Sequence, residues 1–431
     1  MRPLRVLLVA NPEKAHVLPM FPLAWALRTA GHDVRVACTP WFADVVTQAG
    51  LTAVPVGRDY DLWKLLDRSM HTLPDWSYRP EYGLPAPYDA AHEPDRATWE
   101  HLTEGYERIV SLWHKPASFP MIADLVRFAR QWGPDLILWE PLAMAGPIAA
   151  EACGAAHGRL LWSVDVFGAT RRRFLRLKEQ RPEGERVDPL ADWLGGYARM
   201  YGGEFSESMV TGQFTVDQLP ASLATDGLPG RLPLRFVPYG GPAVLPKWLW
   251  TRPERPRVAL TMGLSSTDHD AGYAIDVQGV LDALDGLDVE IVATVADAER
   301  HKLARVPANA RLVPYVPLHD LARTCDLAIH HGGFGTFLTF ARHPVPQLLL
   351  PWDFDGPVLG RRAAEQGGSL AIRADEATAE SVRAAVLRLL TEPAFKERAT
   401  ALRDEIDATP SPNELVPRLE ELTAAHRSTT R

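Results

Sequence analysis

The sequence predicts an α/β protein of two consecutive domains, each a doubly wound parallel sheet, and three observations carry that prediction. Short, wholly apolar runs alternate with stretches of helical spacing. This alternation occurs twice along the chain. A stretch rich in Pro and Gly, residues 227–256, separates the two series. Uninterrupted apolar runs of four or five residues are how strands read when helices cover both faces of a parallel sheet. At 431 residues the chain also exceeds what one hydrophobic core ordinarily fills. In open sheets of this kind ligands bind beyond the carboxyl ends of the strands, so the segments that follow each strand are where chemistry is expected.

The first series opens with a strand at residues 5–10, around Val6-Leu7-Leu8-Val9. A helix at 21–30 follows, closed by Gly31 as its C′ residue, and then a strand at 33–38. That is one βαβ unit. Residues 136–139 and 159–162 read as later strands of the same sheet. Between them and the opening unit lies 59–114, where Pro74, Pro80, Pro85, Pro87 and Pro94 interleave with Trp63, Trp76, Tyr78, Tyr82, Tyr88 and Trp99. A segment this long without regular periodicity is expected to be functional or mobile. The second series has strands at 257–262, 289–295, 326–329 and 347–350, with helices at 277–284, 318–323 and 336–342. From 380 onward the chain is expected to be helical, broken at Thr409-Pro410-Ser411-Pro412. The domains are set at 1–230 and 257–409, with a linker over 231–256 and a terminal helix over 410–431.

Composition narrows the function classes. Hydrophobic residues make up 46% and charged residues 23%, as in ordinary globular proteins, and the net charge is −8. Lys and Arg are dispersed except for Arg171-Arg172-Arg173, which reads as a solvated helix face, so no nucleic-acid partner is expected. Cys38, Cys153 and Cys325 are far apart and odd in number, which suits buried free thiols better than disulfides or a zinc site. No signal-peptide pattern precedes the first strand, and no apolar run approaches the ~18 residues of a membrane span. The expected location is the cytoplasm.

The sharpest chemical signal is Asp326-Leu327-Ala328-Ile329-His330-His331-Gly332-Gly333-Phe334-Gly335-Thr336. A buried strand delivers two histidines, three glycines within four positions, and a Thr at the start of a helix. Glycines let main-chain amides approach an anion closely, and a helix N-terminus supplies unpaired N–H groups and partial positive charge. The alternative is a tight structural turn with Thr336 as an N-cap. The first βα turn, Asn11 to His16, lacks the G-x-G-x-x-G of dinucleotide oxidoreductases, and no Walker-type G-x-x-x-x-G-K-[ST] is present.

Four segments in order carry a family resemblance: His16-x-x-Pro19 with Pro22-Leu23-Ala24, Trp139-Glu140-Pro141-Leu142, the His-His-Gly-Gly-x-Gly-Thr turn, and Val345-Pro346-Gln347 leading to Leu350-Pro351 and Asp355. Together with Pro410-Ser411-Pro412 they resemble the GT-B glycosyltransferases of family 1, and within these the actinobacterial natural-product deoxysugar transferases. The resemblance spans nearly the whole chain and implies two Rossmann-like domains facing each other across a cleft. It implies inverting transfer of a deoxysugar from a dTDP-sugar donor, bound by the C-terminal domain, to an apolar polyketide or macrolide-like aglycone acceptor, bound by the N-terminal domain. No cofactor and no metal are implied.

Position by position, the resemblance makes His16 the general base. An acceptor hydroxyl must lose its proton as it attacks, and imidazole is suited to take it. Glu140 stands where relatives often carry an Asp, and either orients His16 or lines the acceptor pocket. His331, Gly332, Gly333, Gly335 and Thr336 would hold the diphosphate, Gly263 and Ser265 its other side, and Val316 with Pro317 the base. Asp355 would bind sugar hydroxyls. Gly356 replaces the usual Gln, which fits a donor short of a hydroxyl, because an amide with nothing to meet would be left unsatisfied. The aromatic residues between Trp63 and Trp113 would line the acceptor pocket, form ordinary core, or dock a cytochrome-monooxygenase-like auxiliary protein of the kind several members of this group require. Oligomeric state stays open, a homodimer included. Two other functions remain at this point, a nucleotide-sugar 2-epimerase on the same fold and a non-catalytic sugar-nucleotide-binding helper subunit.

Overall fold

The structure, a computed structural model, describes residues 2–59, 82–225, 227–228, 230–263 and 273–427. The chain forms two compact units. One comprises Met1–Leu219, Ala224–Arg235 and Pro410–Arg431, the other Pro220–Leu223 and Phe236–Thr409. Each is built on its own parallel sheet, so the predicted α/β class with two doubly wound sheets is what the structure shows.

The first sheet has seven strands: β1 (Arg5–Val9), β2 (Asp33–Cys38), β3 (Thr52–Pro55), β4 (Leu136–Trp139), β5 (Ala156–Leu160), β6 (Thr215–Asp217) and β7 (Arg231–Pro233). Their spatial order is β3-β2-β1-β4-β5-β6-β7. The second sheet has six: β8 (Arg257–Thr261), β9 (Glu290–Thr294), β10 (Ala310–Val313), β11 (Leu327–His330), β12 (Gln347–Leu349) and β13 (Ser369–Ala371), ordered β10-β9-β8-β11-β12-β13. In both, the chain winds outward from its first strand, then returns to add strands on the other side. The order therefore reverses between β1 and β4 and again between β8 and β11, which are the switch points where such sheets open a crevice.

The strands at the switch points are the apolar runs of the sequence. β4 and β11 are buried throughout, and β1 is buried from Val6 to Val9. Register aligns Val9 with Trp139 and Thr261 with His330, so the residues that leave each strand pair start side by side. In the second unit the apolar residues of β8, β9, β11 and β12 form a core with the helices Val277–Leu284 and Ala379–Thr391.

Several expectations need correction. The fifth strand is Ala156–Leu160 and not 159–162; it pairs with β4 from Ala156 to Arg159, opposite Leu136 to Trp139. Trp162 consequently lies past the carboxyl end of β5. Part of the segment expected to lack periodicity is regular helix: Trp99–Ile109 is capped by the Thr98 side chain and buries Leu102, Tyr106 and Ile109 on one face. It runs through one π turn, Val110–His114, into Lys115–Trp132. Tyr88, Tyr106 and Trp113 are buried as core, while Trp63, Pro74, Trp76, Tyr78 and Pro80 lie outside the described residues.

The Arg171 run is not a solvated face either. Arg171 is fully buried, bonded through both terminal nitrogens to Asp188 at 2.8 Å and through Nε and one terminal nitrogen to Glu207 at 3.0 and 2.6 Å. Arg173 reaches the carbonyl of Ala90. Cys38 and Cys325 are buried free thiols as expected, but Cys153 is only partly buried. Arg231–Pro233, placed in the linker from sequence, pairs with β6 as an edge strand of the first sheet. The closing helix, Pro412–His426, starts at a capping box between Ser411 and Glu414 and packs on the helix Phe21–Thr29 and on β5 of the first unit. Among the described residues no helix is long and apolar enough to cross a membrane.

Candidate active site

Both switch points carry the residues singled out in sequence. In the first unit, β1 ends at Val9, and the chain turns through Asn11 into the short helix Lys14–Val17, which presents His16. Pro19 follows in a 3-10 turn, and the helix Phe21–Thr29 begins directly after it, with Pro22 in its first turn. Glu140 leaves the end of β4, tied by its own amide to the carbonyl of Val9 at 3.2 Å.

Glu140 is fully buried and well supplied with donors. Its Oε1 accepts the amide of Asn11 at 3.2 Å; its Oε2 accepts the amide of Leu142 at 2.9 Å and the indole N–H of Trp162 at 3.0 Å. The same Oε2 lies 3.7 Å from His16 Nδ1. Burial pushes this carboxyl's pKa up, but His16 and the two amides outweigh that and hold it below the usual carboxylate value. A buried carboxylate that stays charged next to an imidazole favours a proton on Nδ1 and leaves Nε2 as the base. The structure thus brings His16 and Glu140 together.

In the second unit, β11 ends in His330 and His331. His330 is fully buried, its Nδ1 accepts the amide of Gly332 at 3.1 Å, and its Nε2 lies 2.8 Å from Gln347 Oε1. Nδ1 acts as acceptor, so the proton sits on Nε2 and the ring is a neutral brace for the turn. Burial lowers its pKa to about 3. The amide of Gly332 is thereby spent inside the turn, and this glycine's contribution is its backbone, at φ +87°.

The ring of His331 occupies space that only glycines leave. A Cβ at Gly333 would fall 2.3 Å from its Nε2, and one at Gly263, beyond the end of β8, 2.7 Å from its Cε1. Burial of this ring lowers its pKa to about 4, so it is neutral at neutral pH. The helix Phe334–Ala341 starts two residues earlier than expected, with Gly333 as N-cap. Phe334, Gly335 and Thr336 are its first three residues, whose N–H groups have no partner within a helix.

Gly335 has no positive φ, and no described atom lies within 4 Å of where its Cβ would be. Neither packing nor backbone asks for glycine there; its effect is open access to the helix N-terminus. The remaining candidates are placed around this turn or farther off. Asp355 is buried at the N-cap of Gly356–Gln366, and Gly332 packs near Pro351 and Gly356. Just before it Phe354 sits at φ +50°, rare for a bulky side chain. Val316 and Pro317 follow β10, and Val316 is buried in the core, so only its main chain is available to a ligand. Ser265 lies outside the described residues. Sequence reasoning missed Trp162, whose ring stacks on His16 at 4.0 Å between centres, with planes 8° apart; its apolar run disguised it as strand.

Comparison with known proteins finds relatives over nearly the whole chain. The family model described as erythromycin biosynthesis protein CIII-like, N-terminal domain, matches residues 25–263, and its C-terminal counterpart matches 278–422. The 10-deoxymethynolide desosaminyltransferase of Streptomyces venezuelae is 42% identical over 98% of this chain and 98% of its own. The 3-alpha-mycarosylerythronolide B desosaminyl transferase of Saccharopolyspora erythraea is 40% identical over 98% and 99%. The crystal structure of the glycosyltransferase VinC in complex with dTDP superposes with a TM-score of 0.85 at 36% identity, covering 98% of this chain and all of that one. The chain belongs to the erythromycin biosynthesis protein CIII-like family and is a glycosyltransferase of the GT-B fold.

Proposed function

We propose that the protein transfers a deoxysugar from a thymidine diphosphate donor to the hydroxyl of an apolar macrolactone or related polyketide, with inversion at the anomeric carbon. The observation that carries the donor half is the turn after β11: a neutral His331 wedged between two glycines, followed by a helix N-terminus that Gly335 leaves uncovered. Diphosphate oxygens would take the amides of Phe334, Gly335 and Thr336 and the hydroxyl of Thr336. As the leaving group gains charge, the same donors and the helix dipole would stabilise it. Asp355 would bind the sugar's hydroxyls, Val316 and Pro317 the base, and Gly263 and Ser265 would close the other side of the phosphates.

On the acceptor side, Nε2 of His16 would take the hydroxyl proton while the oxygen forms its bond to the anomeric carbon and the bond to the diphosphate oxygen breaks. Glu140 would stabilise the imidazolium so formed. The domain carrying β1–β7 would thus bind the acceptor, and the one carrying β8–β13 the donor. The relatives named as desosaminyl transferases support a deoxysugar, and so does the absence of a side chain at Gly356, where a Cβ would meet only ordinary contacts of 3.5 Å or more. Product analysis with thymidine-diphosphate deoxysugars and a panel of macrolactones tests the reading: a glycoside supports it, and an epimerised donor without glycoside refutes it.

The same reading includes an auxiliary protein docking on the segment 59–114, of which 60–81 lie outside the described residues. Adding such a partner should raise turnover without changing donor affinity. Turnover by the purified chain alone at about 1 per second or faster would remove it and leave this segment to the acceptor.

A further inference from the structure

We propose that Trp162 is a positioning residue that holds His16 and Glu140 in working register; the inference rests on the reading of His16 as the base. The indole meets both groups at once. Its face lies on the imidazole at 4.0 Å with the planes 8° apart, and its N–H donates to Glu140 Oε2 at 3.0 Å. That oxygen is the one 3.7 Å from His16 Nδ1. A separation of 3.7 Å is too long for a hydrogen bond to fix the ring by itself. Stacking adds a restraint, because a ring lying flat on an indole has little freedom to turn.

The indole is itself well seated. The adjoining Leu161 amide donates to the carbonyl of Val216 at 2.9 Å, and Phe167 meets the indole edge-on at 6.4 Å. Trp162 follows β5, Glu140 follows β4, and His16 follows β1, and these strands are consecutive neighbours in the sheet. Base, carboxylate and clamp therefore come from three adjacent strand ends. The N–H bond also limits where the carboxylate can go. Asn11, Leu142 and Trp162 hold Glu140 from three directions, leaving its Oε2 facing the imidazole.

A mere wall of the acceptor pocket would touch His16 without bonding Glu140, and its loss would act on acceptor binding. A positioning residue acts through His16, which makes its effect depend on that side chain being present. The test compares Trp162→Phe, which keeps a stacking ring and loses the N–H, with Trp162→Leu, which loses both, each alone and combined with His16→Ala. Turnover is read with the most active pair from a panel of thymidine-diphosphate deoxysugars and macrolactones. Imidazole nitrogen shifts of the protein alone are recorded by NMR.

The expected results are a kcat about tenfold lower for Trp162→Phe and about a hundredfold lower for Trp162→Leu, the scale of misplacing a reacting group. Donor KM and melting temperature should change little in Trp162→Phe. Neither substitution should cost anything further when His16 is already Ala. In NMR, His16 should show one dominant neutral tautomer in the wild type and a mixture in Trp162→Leu. Equal losses with and without His16, or a raised acceptor KM at unchanged kcat, would overturn the inference, as would identical nitrogen shifts. Full turnover in His16→Ala alone would refute the base assignment instead, a separate outcome read from a separate variant.

Discussion

Nδ1 of His16 stands 3.7 Å from Oε2 of Glu140, a fully buried carboxylate that accepts three other N–H groups. His16 and those donors together keep the buried carboxylate charged, so its charge can stabilise an imidazolium. His16→Ala should therefore cut turnover about a hundredfold or more, the usual scale of general-base effects, and leave dTDP affinity nearly intact. Glu140→Gln should slow turnover less, since the amide keeps the shape and loses the charge. Steady-state kinetics alongside dTDP calorimetry would check both.

Gly335→Ala should move stability and binding in opposite directions. Nothing described lies near its Cβ position, so Ala should stabilise the helix by about 0.5–1 kcal/mol. The added methyl would stand over the amides expected to hold the diphosphate, and dTDP affinity should fall. His331→Ala should weaken dTDP by roughly tenfold or more, the scale of a lost hydrogen bond to a charged group. Thermal melts and calorimetry on the full chain measure both quantities. Unchanged affinity in both variants would make the turn purely structural.

Stability should fall as pH drops below about 6.5. Fully buried His114 and His330 have pKa values lowered by burial from 6.5 to about 4 and about 3. Both are neutral in the fold. Their contribution is fully present above the unfolded value and is lost as pH falls toward 4, because the unfolded chain binds protons that the fold refuses. Each such group adds a slope on the order of 1.4 kcal/mol per pH unit in that window. Urea titrations at stepped pH would show it, and His114→Gln should flatten the slope.

Arg171 is a structural cation. Removing it leaves Asp188 and Glu207 without their shared partner, and Asp188 is buried. Arg171→Ala should cost about 3–5 kcal/mol, the price of a broken buried ion pair. Denaturant unfolding would measure it. A change below about 1 kcal/mol would mean the network is solvated in solution, where exposed pairs contribute that little.

The parts of the fold visible in the sequence were those decided locally. β1 from Val6 onward, β4, and β11 as far as Ile329 are continuous apolar runs, and the glycines after β11 announced a turn before a helix. What escaped is decided by partners distant in the chain. Trp162 looked like strand because Leu160-Leu161-Trp162 is uniformly apolar, and only pairing with β4 as far as Arg159 and with β6 as far as Leu160 ends the strand there. Arg171 looked like surface because Asp188 and Glu207 lie 17 and 36 residues away. The helix after β11 begins at Phe334 because Gly333 serves as its N-cap, a role that three closely spaced glycines conceal. The His16–Glu140 pairing came from resemblance; its geometry follows from β1 and β4 being neighbours.

Inverting sugar transfer from a thymidine diphosphate donor is tested most directly by the anomeric configuration of the product. The protein, with and without an auxiliary partner, would be incubated with a thymidine-diphosphate deoxysugar of known configuration and a macrolactone, and the products followed by NMR. The expected result is a glycoside of opposite anomeric configuration, formed in step with one equivalent of dTDP. A glycoside that keeps the donor's configuration, or dTDP release that does not depend on the acceptor, would contradict it.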